Sequence, residues 1–371
     1  MVLILHQDFQ FLRGARYYTD LNTLIVFFFV LSSFLITEIL MIAKRKALES
    51  GYTYTKTAFA FLIRRALRIF PAYYFYLIAI MLLPVVGLYL RQHAGVFFFY
   101  VGNFRIYADQ FWEPVTAHLW TLSIEEQFYI VWPWLILFIP DRHLPRLFYV
   151  LIAAGTLFRV LFVVFNPSSA TAAVSPFILT PGCLDAFGYG GLLAYWHVHG
   201  RKSNPVLKKI CWVLLPVWLL SKIGHVYVLS AGVDRATASL ISMIAIEGAS
   251  NGYKNKFGKF LESRIVTYLG KISYGMYLYH LIVPILFWRS FFWLGTIIPS
   301  SLKTGFGTLQ EIVALPVVNF FVYLFLTIGF ASASWYFLEL PVNNLKRYIG
   351  YTRPKARRPD STAEAGQPTR S

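Results

Sequence analysis

Two adjacent carboxylates, Glu125 and Glu126, interrupt HLWTLSIEEQFYIVWPW (118–134), a stretch otherwise apolar and aromatic enough to enter a bilayer. An acid at that depth costs a few kcal/mol to insert, so it must face a cavity or a partner. At helical spacing, His118, Leu122, Glu125, Tyr129 and Trp132 fall on one face. Glu126 points elsewhere, with Ser123 near it. Such a carboxylate can take or hold a proton or orient a histidine, or it can simply be satisfied by hydrogen bonds between helices.

Other ionisable groups sit in apolar surroundings. His6 lies in the apolar N-terminal stretch, Asp185 in PGCLDAFGYGGLLAYW (181–196) and His280 at the end of LGKISYGMYLYH (269–280). The glycines around Asp185 allow helices to approach closely. Alternating the spans across a membrane places His6, Glu125, Asp185 and His280 at similar depth. Buried ionisable groups cluster because isolated ones cost more, so one polar pocket is expected. Glu339 reads as interfacial, and Glu247 falls at a span boundary.

A different chemistry marks KTAFAFLIRRALRIFPAYY (56–74). Arg68 is four residues from Arg64 and three from Arg65, so the three share a helix face. They read either as a cytoplasmic anchor or as an anion site, since planar guanidinium groups grip phosphate in a bidentate manner. Pro71 is expected to end this helix and open the next.

These residues need helices to hold them. The 371-residue chain is 57% hydrophobic and 14% charged, whereas a soluble domain is nearer a quarter charged. Apolar runs long enough to cross a bilayer recur at about 24–43, 71–90, 119–139, 147–165, 177–198, 210–229, 237–250, 266–288 and 312–338. The fold class expected is all-α: a polytopic helical membrane protein with nine to ten transmembrane helices. Residues 1–12 are too short to span, and read as a partial helix or the end of one begun upstream. Residues 1–345 form the membrane domain and 346–371 a basic, cytoplasmic, disordered tail.

Placing the loop after residue 43 in the cytoplasm puts most of the 34 lysines and arginines on that side, together with the C-terminus. The net charge of +17 is thus assigned to a membrane surface rather than to nucleic acid. The two cysteines, Cys183 and Cys211, make neither a disulfide framework nor a metal site. No cleavable signal peptide is read at the start, and no pattern specifies an oligomeric state.

Six motifs, in order, carry a resemblance: FFFVLSSFLI (27–36), RRALRIFPAYY (64–74), HLWTLSIEEQFYIVWPW, LDAFGYGGLLA (184–194), LGKISYGMYLYH and SWYFLELP (334–341). The chain resembles the acyltransferase-3 family of integral-membrane acyltransferases over essentially its whole length. The resemblance implies transfer of an acyl group, commonly acetyl, from cytoplasmic acyl-CoA to a hydroxyl of a carbohydrate or lipid-linked sugar acceptor. It matches the family's first-helix histidine to His6, its paired arginines to Arg65 and Arg68, its glutamate to Glu125 or Glu126, and its aspartate to Asp185. The family's arginine upstream of the histidine has no counterpart here. Its Gly-Val-Asp is Leu24-Ile25-Val26, and its Ser-Gly is Ser32-Ser33.

On this reading His6 is the base that takes the acceptor's proton, oriented by Glu125 or Asp185. Arg64, Arg65 and Arg68 hold the CoA phosphates. No metal is called for, and His118, Tyr279 and His280 are substrate-facing or structural polar groups. Two rival readings use the same residues. A transporter or flippase would relay protons through Glu125, Asp185 and His280, although no paired repeat is visible. An inactive relative would explain the unmatched arginine.

Overall fold

The computed structural model describes residues 21–170, 176–201, 205–224, 227–253 and 255–350. His6 and the tail after residue 350 lie outside them. Among the described residues the chain is helical, without strands. Four stretches are long and apolar enough to cross a bilayer: Leu24–Ser50, Asp141–Phe165, Tyr227–Ser250 and Pro316–Tyr348. A fifth forms if α12 (Arg264–Tyr279) and α13 (Ile282–Ile297), bent by 65° at His280, count as one. The other expected crossings fall on helices that are shorter or more polar, and those helices hold most of the candidate site.

α1 (Leu21–Ser50) continues through its apolar run into a basic end. There Lys44 donates to the Ile136 and Ile139 carbonyls (3.1 and 2.6 Å) and pairs with Asp141 (2.8 Å). It thus satisfies the C-terminal carbonyls of α6 (Leu119–Phe138), where the helix dipole is negative.

α2 (Tyr54–Met81) corrects an expectation. It starts well before residue 71 and runs through Pro71 without ending. Proline removes one backbone donor, which membrane helices tolerate where neighbours re-satisfy the freed group. Beyond Pro71 the helix is anchored by buried tyrosines. Tyr73 donates to the Phe97 carbonyl (2.8 Å) and Tyr76 to the Val115 carbonyl (2.6 Å). Three short helices follow, α3 (Leu88–Gln92), α4 (Ala94–Phe98) and α5 (Gly102–Asp109), and these bonds tie α4 and the loop after α5 to α2.

α7 (Leu144–Phe165) leads through 3-10 turns to α8 (Leu184–Val198), in which residues 185–194 are all buried. Glycine makes this possible. A Cβ on Gly190 would meet the Val30 carbonyl and lie 2.7 Å from the Ser33 Cβ. A Cβ on Gly188 would lie 2.8 Å from the Phe148 carbonyl. The close approach lets Ser33 donate to the Phe187 carbonyl (2.6 Å) and Phe187 stack on Phe128 (centroids 4.0 Å apart). Gly190→Leu is expected to cost about 1–3 kcal/mol through overpacking. A lowered melting temperature in detergent would register it.

α9 (Pro205–Ile223) and α10 (Tyr227–Ser250) complete that side. α10 covers the whole of the shorter expected span 237–250. α11 (Lys256–Leu261) leads into α12. After α13 come α14 (Lys303–Ala314) and α15 (Pro316–Ser334). α15 passes into a π-helical turn, Trp335–Glu339, then into α16 (Leu340–Asn343) and a last 3-10 turn, Asn344–Tyr348.

Candidate active site

A cavity of about 250 Å³ opens between α1, α2, α6 and α12. Its polar lining is Ser32, Arg65, Arg68, Thr121, Glu125, Tyr129, Ser273, Tyr274 and Tyr277; its apolar lining comes mainly from α1. Four of the six sequence motifs meet here.

Glu125 projects into the cavity and accepts from the Tyr129 hydroxyl (3.2 Å), one helical turn away. Tyr129 and Ser32 share a further hydrogen bond (2.8 Å). The Arg65 guanidinium lies over the Tyr129 ring, 5.2 Å from its centroid, and acts on Glu125 electrostatically. Carboxylate, phenol, hydroxyl and guanidinium therefore form one connected polar strip through an apolar region. Helical periodicity places Glu125 and Tyr129 together; Ser32 comes from α1 and Arg65 from α2.

Glu126 turns the other way. It is 6% exposed, its Oε1 has no hydrogen-bond partner among the described residues, and its charge acts on Tyr73, Tyr74, Tyr100 and Tyr274. It does not line the cavity. The next residue, Gln127, donates to the Tyr100 carbonyl (2.7 Å) and to Asn103 (3.1 Å). This holds Tyr100 at a positive φ of 54°, unusual for a bulky residue.

The arginine triplet divides. Arg65 and Arg68 line the cavity, with Arg68 exposed at its mouth. Arg64 is turned away and donates to the Lys346 and Ile349 carbonyls (2.8 Å each). The spacing that put all three on one face did not reveal this second use.

Asp185 is not brought to the cavity. It pairs with Arg159 at 2.7 Å, and both side chains are fully buried. Arg159 also donates to the carbonyls of Ala231 (3.0 Å) and Gly182 (2.7 Å). The pair joins α7, α8 and α10. Among the described residues, Glu125 and Asp185, expected in one pocket, belong to separate polar centres, because depth does not specify which way a helix face turns.

His118 and His280 do meet, with ring centroids 5.1 Å apart. His118 Nε2 donates to the Leu278 carbonyl (3.1 Å), and His280 Nδ1 to the Tyr277 carbonyl (2.5 Å) at the bend between α12 and α13. Tyr277 lines the cavity, donates to the His118 carbonyl (2.8 Å) and contacts Thr121 Oγ1 (2.6 Å). The histidine pair thus adjoins the end of the cavity opposite Arg68. Tyr279 does not line the cavity. It donates to Ser334 (3.0 Å), which donates to Glu339 (2.8 Å), so that SWYFLELP is tied to α12. Arg159 has no sequence signal beyond a charge within an apolar run, and Ser32 and Tyr277 have none as cavity residues.

Among the described residues, no group of three or more His, Cys, Asp or Glu could hold a metal ion. The strip can move protons, orient a hydroxyl and bind anions at one end.

The O-acetyltransferase OatA of Staphylococcus aureus (strain NCTC 8325 / PS 47) is 26% identical over 373 residues, covering 92% of this chain and 55% of that protein. The peptidoglycan O-acetyltransferase OatA of Listeria monocytogenes (serovar 1/2a, strain EGD-e) is 29% identical over 308 residues, covering 75% of this chain and 46% of that protein. The chain thus spans about half the length of these relatives. No solved structure matches. A family model described as an acyltransferase domain matches residues 2–336. The chain therefore belongs to the acyltransferase-3 family.

Proposed function

We propose that the protein is a membrane O-acyltransferase that moves an acyl group, acetyl in the simplest case, from cytoplasmic acyl-CoA to a hydroxyl of a cell-surface carbohydrate or lipid-linked sugar. The observation that carries this reading is a single cavity that joins two arginines at one end to a glutamate–tyrosine–serine strip. The arginines suit the phosphates of CoA. From Tyr129, under Arg65, to His118 at the far end is about 16 Å along α6, comparable to an extended pantetheine arm. A donor held by its phosphates would then present its thioester near Glu125 and the histidine pair.

In the reaction, the acceptor oxygen attacks the thioester carbonyl carbon. The new C–O bond forms as the C–S bond breaks. A base takes the hydroxyl proton and returns it to the departing thiolate. We assign the base to His6, with Glu125 orienting it or passing the proton onward. Glu126 and Asp185 have packing roles. The nine-crossing topology with a cytoplasmic C-terminus in the inner membrane completes the proposal: it puts the basic loops and Arg68 on the side where acyl-CoA is found. Residues 1–345 form the catalytic domain and 346–371 the tail, whose first residues, 346–349, are held against α2 by Arg64.

Membranes carrying the protein, given labelled acetyl-CoA, are expected to label a surface glycan. Arg65→Ala/Arg68→Ala should raise the donor KM by about 10–100-fold, the loss of two charge-assisted contacts. Uptake of substrate into vesicles without acyl-CoA, with no glycan labelled, would instead establish a transporter.

A further inference from the structure

We propose that Lys346 is a third cation of the donor-phosphate site and that Arg64 places it there, a proposal that rests on the acyl-CoA reading above. Arg64 shares its helix with Arg65 and Arg68, yet its guanidinium is spent on two backbone carbonyls, those of Lys346 and Ile349. These bonds clamp the Asn344–Tyr348 turn against the inner half of α2. The π-helical turn Trp335–Glu339 ahead of it re-aims the chain after α15. The clamp has a consequence for charge. The side chain of Lys346 is half-buried, and the charges that act on its amine are Arg68, Arg65 and Arg64, all positive.

Among the described residues this group has no ion-pair partner: Arg65, Arg68 and Lys346 have no carboxylate within 4.0 Å, although Glu125 feels the charge of Arg65. Glu339, which feels the charge of Arg68, is 3% exposed and accepts from Ser334. Gathering like charges at a partly buried mouth is unfavourable unless an anion joins them. CoA brings a pyrophosphate and a 3′-phosphate. Arg65 and Arg68 offer forked donors to them, and Lys346 a compact point charge on a flexible stem.

The test compares two donors, acetyl-CoA and acetyl-pantetheine, the second of which has no phosphate. Lys346→Gln is expected to raise the KM for acetyl-CoA about tenfold, the loss of one charge-assisted contact. It should leave kcat, and all activity with acetyl-pantetheine, at the wild-type level, which also reports an intact fold. Lys346→Arg should restore the acetyl-CoA KM. An unchanged acetyl-CoA KM in Lys346→Gln, or an equal loss with both donors, overturns the role of Lys346. A wild-type protein that takes acetyl groups from neither donor overturns the acyl-CoA reading itself.

Discussion

Glu125→Gln is expected to lower kcat for acyl transfer by about 10²–10⁴-fold, the usual range for removing a group that handles a proton in the transition state. The amide keeps the volume of the acid and can still accept from Tyr129, so the fold should survive. What disappears is the negative charge that feels Arg65 and the ability to take up a proton. Donor KM should change little, since the phosphate-binding arginines are untouched. Glu126→Gln makes the control. That residue is adjacent in sequence but lies outside the cavity, against Tyr74, Tyr100 and Tyr274, so its loss should be read mainly as altered stability. Steady-state rates with labelled acetyl-CoA and melting curves in detergent separate the two. Equal loss of kcat in both variants, with intact melting, would mean that both acids serve the reaction.

Periodicity explains why the first of these acids was legible in the sequence. Glu125 and Tyr129 are one turn apart, so their contact is local and follows from helical spacing alone. The same holds for Arg65 and Arg68. Contacts between helices are another matter. Ser32 reaches Tyr129 across 97 positions and Arg64 reaches the Lys346 carbonyl across 282. No period encodes such pairs. Pro71 misled for a related reason: its cost to a helix is local, while the buried bonds of Tyr73 and Tyr76 that keep the helix going are tertiary. The bend at His280 coincides with Pro284, four residues on, whose ring crowds the His280 carbonyl and offers it no donor; reading 266–288 as one apolar run conceals it. The sequence marks His118 and His280 as polar candidates, but nothing in it says that their rings touch.

Asp185 shows how depth alone can mislead. It shares a level with Glu125, but its partner is Arg159, and the two lie at 0% side-chain exposure. Removing one member of such a pair leaves a buried charge uncompensated, at a cost of about 3–5 kcal/mol. Asp185→Leu is therefore expected to prevent the protein from accumulating in the membrane, or to lower its melting temperature sharply. Replacing both partners removes the stranded charge. Arg159→Met/Asp185→Leu should therefore recover much of the stability, though not all, because the carbonyls of Ala231 and Gly182 lose their donor. The recovered double variant should also transfer acyl groups, since neither residue lines the cavity. A residue that handled protons in the reaction would behave differently: the double variant would be stable and inactive. Membrane abundance, melting in detergent and turnover with labelled acetyl-CoA, measured on the wild type and both variants, decide between an ion pair that holds α7, α8 and α10 together and an acid that works on the substrate.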